Sequence, residues 1–319
     1  MAQKWEDEMQ IVLGATGSIG HWVVEKLLSR EAKVRVMVRT PAKLKQFSNM
    51  ERLEVLQGDA ANIGDVKKAV TGADAVYYCV NVPYPDWKLQ ALPMLQNTIT
   101  AARENKAKIV FPGNVYVYGH AQSDFVREDH PFAAHTRKGK IRIRMEQMLN
   151  DAWKSEKIPY TIVRFPDFYG PFVVNELYVP IFRNALQGRP MTWYGRLDVP
   201  IEFAYIEDAA EALVMAGLDN GTSGESYNVP GAGVTTPRRW LELVALAAGT
   251  EAKIRTVPKF MIALAGISNP LVREFYEMLY LKREHLILDG TKFRNKFGRI
   301  PTTPYEDGIK KTLDWFRIK

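Results

Sequence analysis

The sequence predicts an α/β protein: a doubly wound parallel sheet with a smaller C-terminal substrate-binding part. Three observations carry that prediction. Short apolar runs alternate with amphipathic stretches through roughly the first half of the chain, a glycine cluster joins the first run to the first stretch, and the alternation breaks after Arg164 into Pro- and Gly-rich turns. The runs at 9–13, 34–38, 53–56, 75–80, 109–111 and 160–163 have the length of strands buried on both faces. Between them, 19–28, 66–70, 89–105 and 141–153 carry apolar residues at three- and four-residue spacing, the repeat of one helix face. Further helices are expected at 179–186, 208–218, 238–248 and 304–316. The main domain is therefore drawn at 1–175 and the smaller part at 176–319, with some of its segments returning to the main sheet.

Composition sets the outer limits. With 319 residues, 46% hydrophobic and 25% charged, the chain has the make-up of a globular protein and not of a disordered or fibrous one. The single Cys79 excludes an internal disulfide, and the acidic N-terminal stretch lacks the basic start of an export signal; a cytoplasmic location is expected. Segment 258–281, the most apolar later stretch, is interrupted by Ser268, Asn269, Pro270, Arg273, Glu274 and Glu277. It reads as amphipathic helices, so no membrane partner is expected. A net charge of +7 without interleaved aromatic and basic residues suits anionic small molecules and gives no reason to invoke nucleic acid. His21, His120, His130, His135 and His285 lack metal-ligand spacing, and no metal is expected.

The strongest motif is Gly14-Ala15-Thr16-Gly17-Ser18-Ile19-Gly20, between a strand and a helix. Missing side chains let the backbone turn sharply and approach a pyrophosphate, which then rests on the positive end of the following helix. Dinucleotide binding follows. At the end of the second strand a carboxylate would hold an adenosine ribose and repel a 2′-phosphate, but the chain offers Arg39, with Thr40 and Lys43 behind it. NADP(H) is accordingly expected over NAD(H), the competing reading being that Arg39 and Lys43 are solvated charges. Asp59 and Ala60, after the third strand, are assigned to the adenine end, Asp59 also being able to cap the next helix.

With those motifs in place, the chain resembles the extended short-chain dehydrogenase/reductase family, also called the NAD-dependent epimerase/dehydratase family, from about residue 10 to residue 316. The matching pieces are the glycine loop, Gly58-Asp59, Val117-Tyr118-Gly119, Arg164-Phe165-Pro166, Tyr169-Gly170-Pro171, the block from Tyr205 through Asp208 to Ala212, and Gly224-Glu225-Ser226-Tyr227-Asn228. The resemblance implies a Rossmann sheet, Pro166 and Phe168 beside the nicotinamide, and Tyr205 on the substrate side. Val80, Asn81 and Pro112, at the ends of the fourth and fifth strands, are assigned to the cofactor as well. The departure lies at the reacting centre. The family's Ser or Thr is replaced by Asn114, and its Tyr-x-x-x-Lys pair by Lys138 and Arg142. The chain thus resembles the atypical members.

Four residues are left to carry chemistry. Arg142 keeps the charge of the missing lysine but does not give up its proton near neutral pH. Lys138 is the first candidate for proton donor, against the reading that Arg137, Lys138, Lys140, Arg142 and Arg144 form a solvated basic helix; 138 and 142 share one face and 137, 140 and 144 another. Tyr116 is the second candidate. Asn114 has an amide hydrogen with which to polarise a carbonyl. Tyr84 and Trp87, after the fourth strand, are expected as substrate walls, with Tyr169, Trp193 and Arg196 adding aromatic and basic groups. The leading expectation is an NADP(H)-dependent oxidoreductase acting on a small carbonyl or alcohol, with a homodimer implied by the resemblance alone. A dinucleotide-binding protein without turnover and a nucleotide-sugar epimerase or dehydratase are the alternatives.

Overall fold

A computed structural model describes residues 7–44, 47 and 50–318. Six strands, β1 (Met9–Leu13), β2 (Lys33–Val38), β3 (Leu53–Gln57), β4 (Ala75–Tyr78), β5 (Lys108–Asn114) and β6 (Tyr160–Phe165), alternate with four helices: α1 (Ser18–Leu28), α2 (Ile63–Val70), α3 (Trp87–Asn105) and α4 (Arg137–Glu156). The remaining chain forms β7 (Phe168–Tyr169), α5 (Val179–Leu186), β8 (Met191–Trp193), β9 (Ala204–Tyr205), α6 (Ile206–Leu218) and β10 (Glu225–Asn228). It ends with α7 (Pro237–Ala248), β11 (Ile254–Thr256), α8 (Lys259–Ser268), α9 (Pro270–Tyr276), α10 (Thr291–Phe297) and α11 (Tyr305–Ile318). Among the described residues no helix is long and apolar enough to cross a membrane.

Seven strands make one parallel sheet in the order β3-β2-β1-β4-β5-β6-β10. The fold is thus a doubly wound α/β sheet. Because successive side chains of a strand point to opposite faces, Ile11 and Leu13 of β1 enter the core under α2 and α3 while Val12 enters the core under α1 and α6. A third core, rich in aromatic rings, joins Tyr178, Trp193, Phe203 and Trp240 in the C-terminal part. β5 runs three residues beyond the predicted run, because Pro112, Gly113 and Asn114 pair with Val163, Arg164 and Phe165 of β6. Proline is tolerated there because pairing with β4 has already ended at Val110.

Buried charges lock the C-terminal elements to this sheet. Arg164 and Glu146 meet in a forked ion pair, Nη2 to Oε2 at 2.6 Å, and Arg164 also donates to the Tyr118 hydroxyl at 3.0 Å. Tyr118 donates in turn to Asn228 of β10 at 2.6 Å. Lys108 of β5 sends its ammonium to the end of α6, donating to the Ala216 and Asp219 carbonyls at 2.8 Å each and to Thr222 Oγ1 at 2.6 Å. A cation there completes the carbonyls that every helix end leaves free. Replacing it by Lys108→Met should cost about 2–3 kcal/mol of stability in urea unfolding, since the acceptors stay buried without a donor.

Glu202 is buried where three segments meet, accepting the backbone N–H groups of Leu288 at 2.8 Å and Gly231 at 2.9 Å. Burial pushes its carboxyl up to about 7, the two N–H bonds only partly opposing this. A carboxyl that holds its proton more tightly when folded stabilises most below its unfolded pKa and loses that contribution as pH rises through the folded value. Unfolding free energies measured near pH 5 and pH 8 should therefore differ by less in Glu202→Gln than in the parent chain, by roughly 2–3 kcal/mol.

Candidate active site

β1 has β2 on one side and β4 on the other, so the connections leaving β1 and β4 diverge and open a crevice at their carboxyl ends. The 14–20 loop turns into that crevice. Gly14 has a left-handed φ of +84°, and a Cβ there would sit 2.6 Å from the Cys79 carbonyl oxygen; one on Gly20 would sit 2.3 Å from the Gly14 oxygen. Only glycine lets α1 start so close to the strand. Gly17 precedes the helix with no side-chain cap, leaving the first N–H groups open toward the crevice. On the far side, Ser18 Oγ donates to Phe172 O at 2.9 Å and Trp22 to Pro171 O at 3.1 Å, which holds the strap with Val173 and Asn175 over the opening.

The crevice is a cavity of about 390 Å³ that brings together thirteen sequence-assigned residues: Gly17, Ser18, Ile19, Val80, Asn81, Tyr84, Trp87, Pro112, Asn114, Tyr116, Arg142, Pro166 and Phe168. Arg142 reaches in from α4, its guanidinium 4.8 Å above the Trp87 ring and donating weakly to Pro112 O at 3.3 Å. Its buried Nε has no hydrogen-bond partner. Tyr84 and Tyr116 share a hydrogen bond of 2.7 Å between their hydroxyls. Burial holds Tyr116 well above its ordinary pKa, with Tyr84 and Asp167 adding to the effect and Arg142 opposing it. Burial likewise pushes Tyr84 up to about 12. Asn114 accepts the Tyr116 backbone N–H at 3.1 Å, which caps the short turn bearing the phenol. Against that turn packs Gly139 of α4, where a Cβ would stand 2.7 Å from the Tyr116 carbonyl oxygen.

Other assigned residues lie elsewhere. Lys138 is 1% exposed and outside the cavity lining; its ammonium pairs with Glu274 and, at 2.8 Å, with Glu277, and lies over the Tyr84 ring at 4.9 Å. It is therefore neither on a solvated face nor turned to the crevice, because α9 brings two carboxylates against it. Arg39 and Lys43 are exposed beyond the end of β2. Asp59 closes a local turn onto the Ala61 N–H at 2.9 Å, and the cap of α2 is Asn62. Ala60 is buried beside it, and Thr16 is exposed on the glycine loop. Tyr169, Trp193 and Tyr205 are packed in the aromatic core, with Arg196 exposed at its edge.

Sequence reasoning missed the polar group at the inner end of the cavity. Asp167 lines it and is ion-paired with the buried Lys282, and the Tyr178 hydroxyl donates to the same carboxylate at 2.8 Å. Burial pushes the Asp167 carboxyl up, but the Lys282 ammonium and the Tyr178 bond outweigh it and hold it below its ordinary value. The sequence hid this group, because Lys282 opens the charged run Lys282-Arg283-Glu284, which reads as a solvated turn.

Comparison with known proteins fits this geometry. The profile of the NAD dependent epimerase/dehydratase family matches residues 10–230. A UDP-N-acetyl-alpha-D-glucosaminuronate decarboxylase of Bacillus cytotoxicus is 28% identical over 70% of this chain and 67% of its own, and a dTDP-glucose 4,6-dehydratase of Salmonella typhimurium is 29% identical over 52% and 43%. The chain thus spans about two thirds of the first relative and under half of the second. The fold is that of a Bacillus anthracis dTDP-glucose 4,6-dehydratase solved with NAD (TM-score 0.81, 17% identity, 98% of this chain and 97% of that one). It is also that of an epimerase from Methanothermobacter thermautotrophicus (TM-score 0.83, 16% identity, 99% and 94%). A family described as NAD dependent, with a neighbour solved holding NAD, overturns the expectation of NADP(H) over NAD(H). Arg39 and Lys43 are exposed, which agrees with the competing reading of solvated charges beyond the strand end. By the match over 10–230, the chain belongs to the NAD dependent epimerase/dehydratase family.

Proposed function

We propose that the chain binds NAD and uses it to transform a nucleotide sugar, with the Tyr116 phenol exchanging the proton that a Tyr-x-x-x-Lys pair handles elsewhere in the family. One observation carries this reading: a single cavity joins the open N-terminus of α1 to the Tyr116 phenol and the unpartnered Arg142 Nε. The relatives' names favour a nucleotide sugar over a generic small carbonyl. Bound NAD supplies a hydride acceptor and, once reduced, a hydride donor.

The chain's own residues do the rest. The 14–20 backbone and the α1 N-terminus hold the pyrophosphate, with Asp59 and Ala60 toward the adenine; Val80, Asn81, Pro112, Pro166 and Phe168 enclose the nicotinamide end. Arg142 gives its free Nε to a ribose hydroxyl. Tyr116 keeps its proton at neutral pH, and its bond to Tyr84 provides a second phenol through which that proton is replaced. Asn114 fixes the turn that aims the phenol. Tyr84 and Trp87 wall the substrate, and Asp167 presents a carboxylate to its hydroxyls.

Titration of the purified protein with NAD should give saturable binding that Arg142→Ala weakens about tenfold, one charge-assisted hydrogen bond being worth roughly 1.5 kcal/mol. Absence of NAD binding by the parent chain overturns the reading. Against a panel of UDP- and dTDP-sugars followed by NMR, Tyr116→Phe should lower turnover by roughly 10²- to 10⁴-fold with NAD affinity nearly unchanged. Lys138→Met should instead lower stability by about 1–3 kcal/mol, because Glu274 and Glu277, both largely shielded from water, then keep only the exposed Arg137 as their cation. Tight NAD binding with no turnover of any sugar would favour a dinucleotide-binding protein.

A further inference from the structure

We infer that the outer face of α8 docks on an anionic lipid bilayer. Four large apolar side chains stand out from this one helix: Phe260 is 71% exposed, Met261 50%, Leu264 66% and Ile267 78%. Their spacing puts them on one side of α8, while Ile262 and Gly266 face inward. Gly266 lets α9 come close, a Cβ there lying 3.2 Å from the Arg273 Cα, so the two helices form a tight hairpin that holds the apolar face outward.

Charge selects the occupant. Lys253, Arg255, Lys259 and Arg273 are exposed on and just before the hairpin against one exposed carboxylate, Glu251, while the hairpin's Glu274 and Glu277 are turned onto Arg137 and Lys138. An apolar helix face edged by basic groups is the pattern of a helix lying in the plane of an acidic membrane surface. A second copy of the chain fits less well. Two-fold pairing of this face would set basic rim against basic rim. The sequence-based expectation of no membrane partner rests on the interrupted apolar stretch at 258–281 and concerns a span, not a helix lying on the surface.

The test is flotation of the full chain with vesicles of phosphatidylcholine and phosphatidylglycerol in roughly a two-to-one ratio, beside vesicles of phosphatidylcholine alone. Binding to the acidic vesicles is expected, falling about tenfold or more in Leu264→Ser/Ile267→Ser and weakening with added salt or in Lys259→Glu/Arg273→Glu. Both substitution sets change exposed side chains, and an unchanged melting transition checks that the fold is kept. The inference is overturned if the parent chain does not float with acidic vesicles, or if the apolar variant floats as well as the parent. It is also overturned if sedimentation shows a dimer that the same variant dissociates while vesicles are ignored.

Discussion

The arrangement of the site rests on a steric constraint at the first turn of the chain. Between β1 and α1 there is no space for a Cβ at Gly14, against the Cys79 carbonyl, or at Gly20, against the carbonyl of Gly14 itself. The helix can then start directly over the strand, with its unfilled N–H groups facing the gap where the strand order reverses. A larger residue at either glycine would lift α1 from the sheet. The gap would then widen, and the strap held by Ser18 and Trp22 would lose the helix it is tied to.

α4 shows how one helix face serves several environments. Lys138, Arg142 and Glu146 follow at four-residue intervals and so lie along one stripe. Each turn of the stripe meets something different, and only Arg142 of the three lines the crevice. Lys138 meets the carboxylates of the α9 region, Arg142 meets the cavity, and Glu146 meets Arg164 of β6. The same stripe thus serves packing at one turn and the cavity at the next. Lys138 fastens the C-terminal hairpin, and the phenol facing the cavity comes from the turn after β5.

The sheet was legible because its signals are local. Runs such as 9–13 and helices such as 179–186 follow from periodicity within a few residues, and the glycine loop declares its turn in seven. The partners of charged side chains were not legible, for they come from far along the chain. Lys138 meets Glu274 across 136 residues, and Lys282 meets Asp167 across 115. Composition records that these charges exist but not which of them face each other. The cofactor assignment failed because basic side chains just past a strand end are more often solvated than phosphate-bound, and Arg39 and Lys43 are exposed. Tyr169, Trp193 and Tyr205 entered the aromatic core because the C-terminal part must bury large rings to hold together beside the sheet.

Unpaired buried groups show where a ligand is needed. Among the described residues, Gln10 Oε1, Tyr77 Oη, Arg142 Nε, Tyr169 Oη, Trp240 Nε1 and Tyr280 Oη are buried side-chain atoms without a hydrogen-bond partner. Five of these belong to residues that do not line the crevice, so a ligand there would not reach them. Arg142 does line it, and burial already holds its guanidinium below the ordinary pKa, so the cation is less well satisfied than it would be in water. The other polar groups at that end answer one another: Tyr84 with Tyr116, and Asp167 with Lys282 and Tyr178. A ligand that brings an acceptor to Arg142 therefore gains a charge-assisted bond without breaking an existing pair.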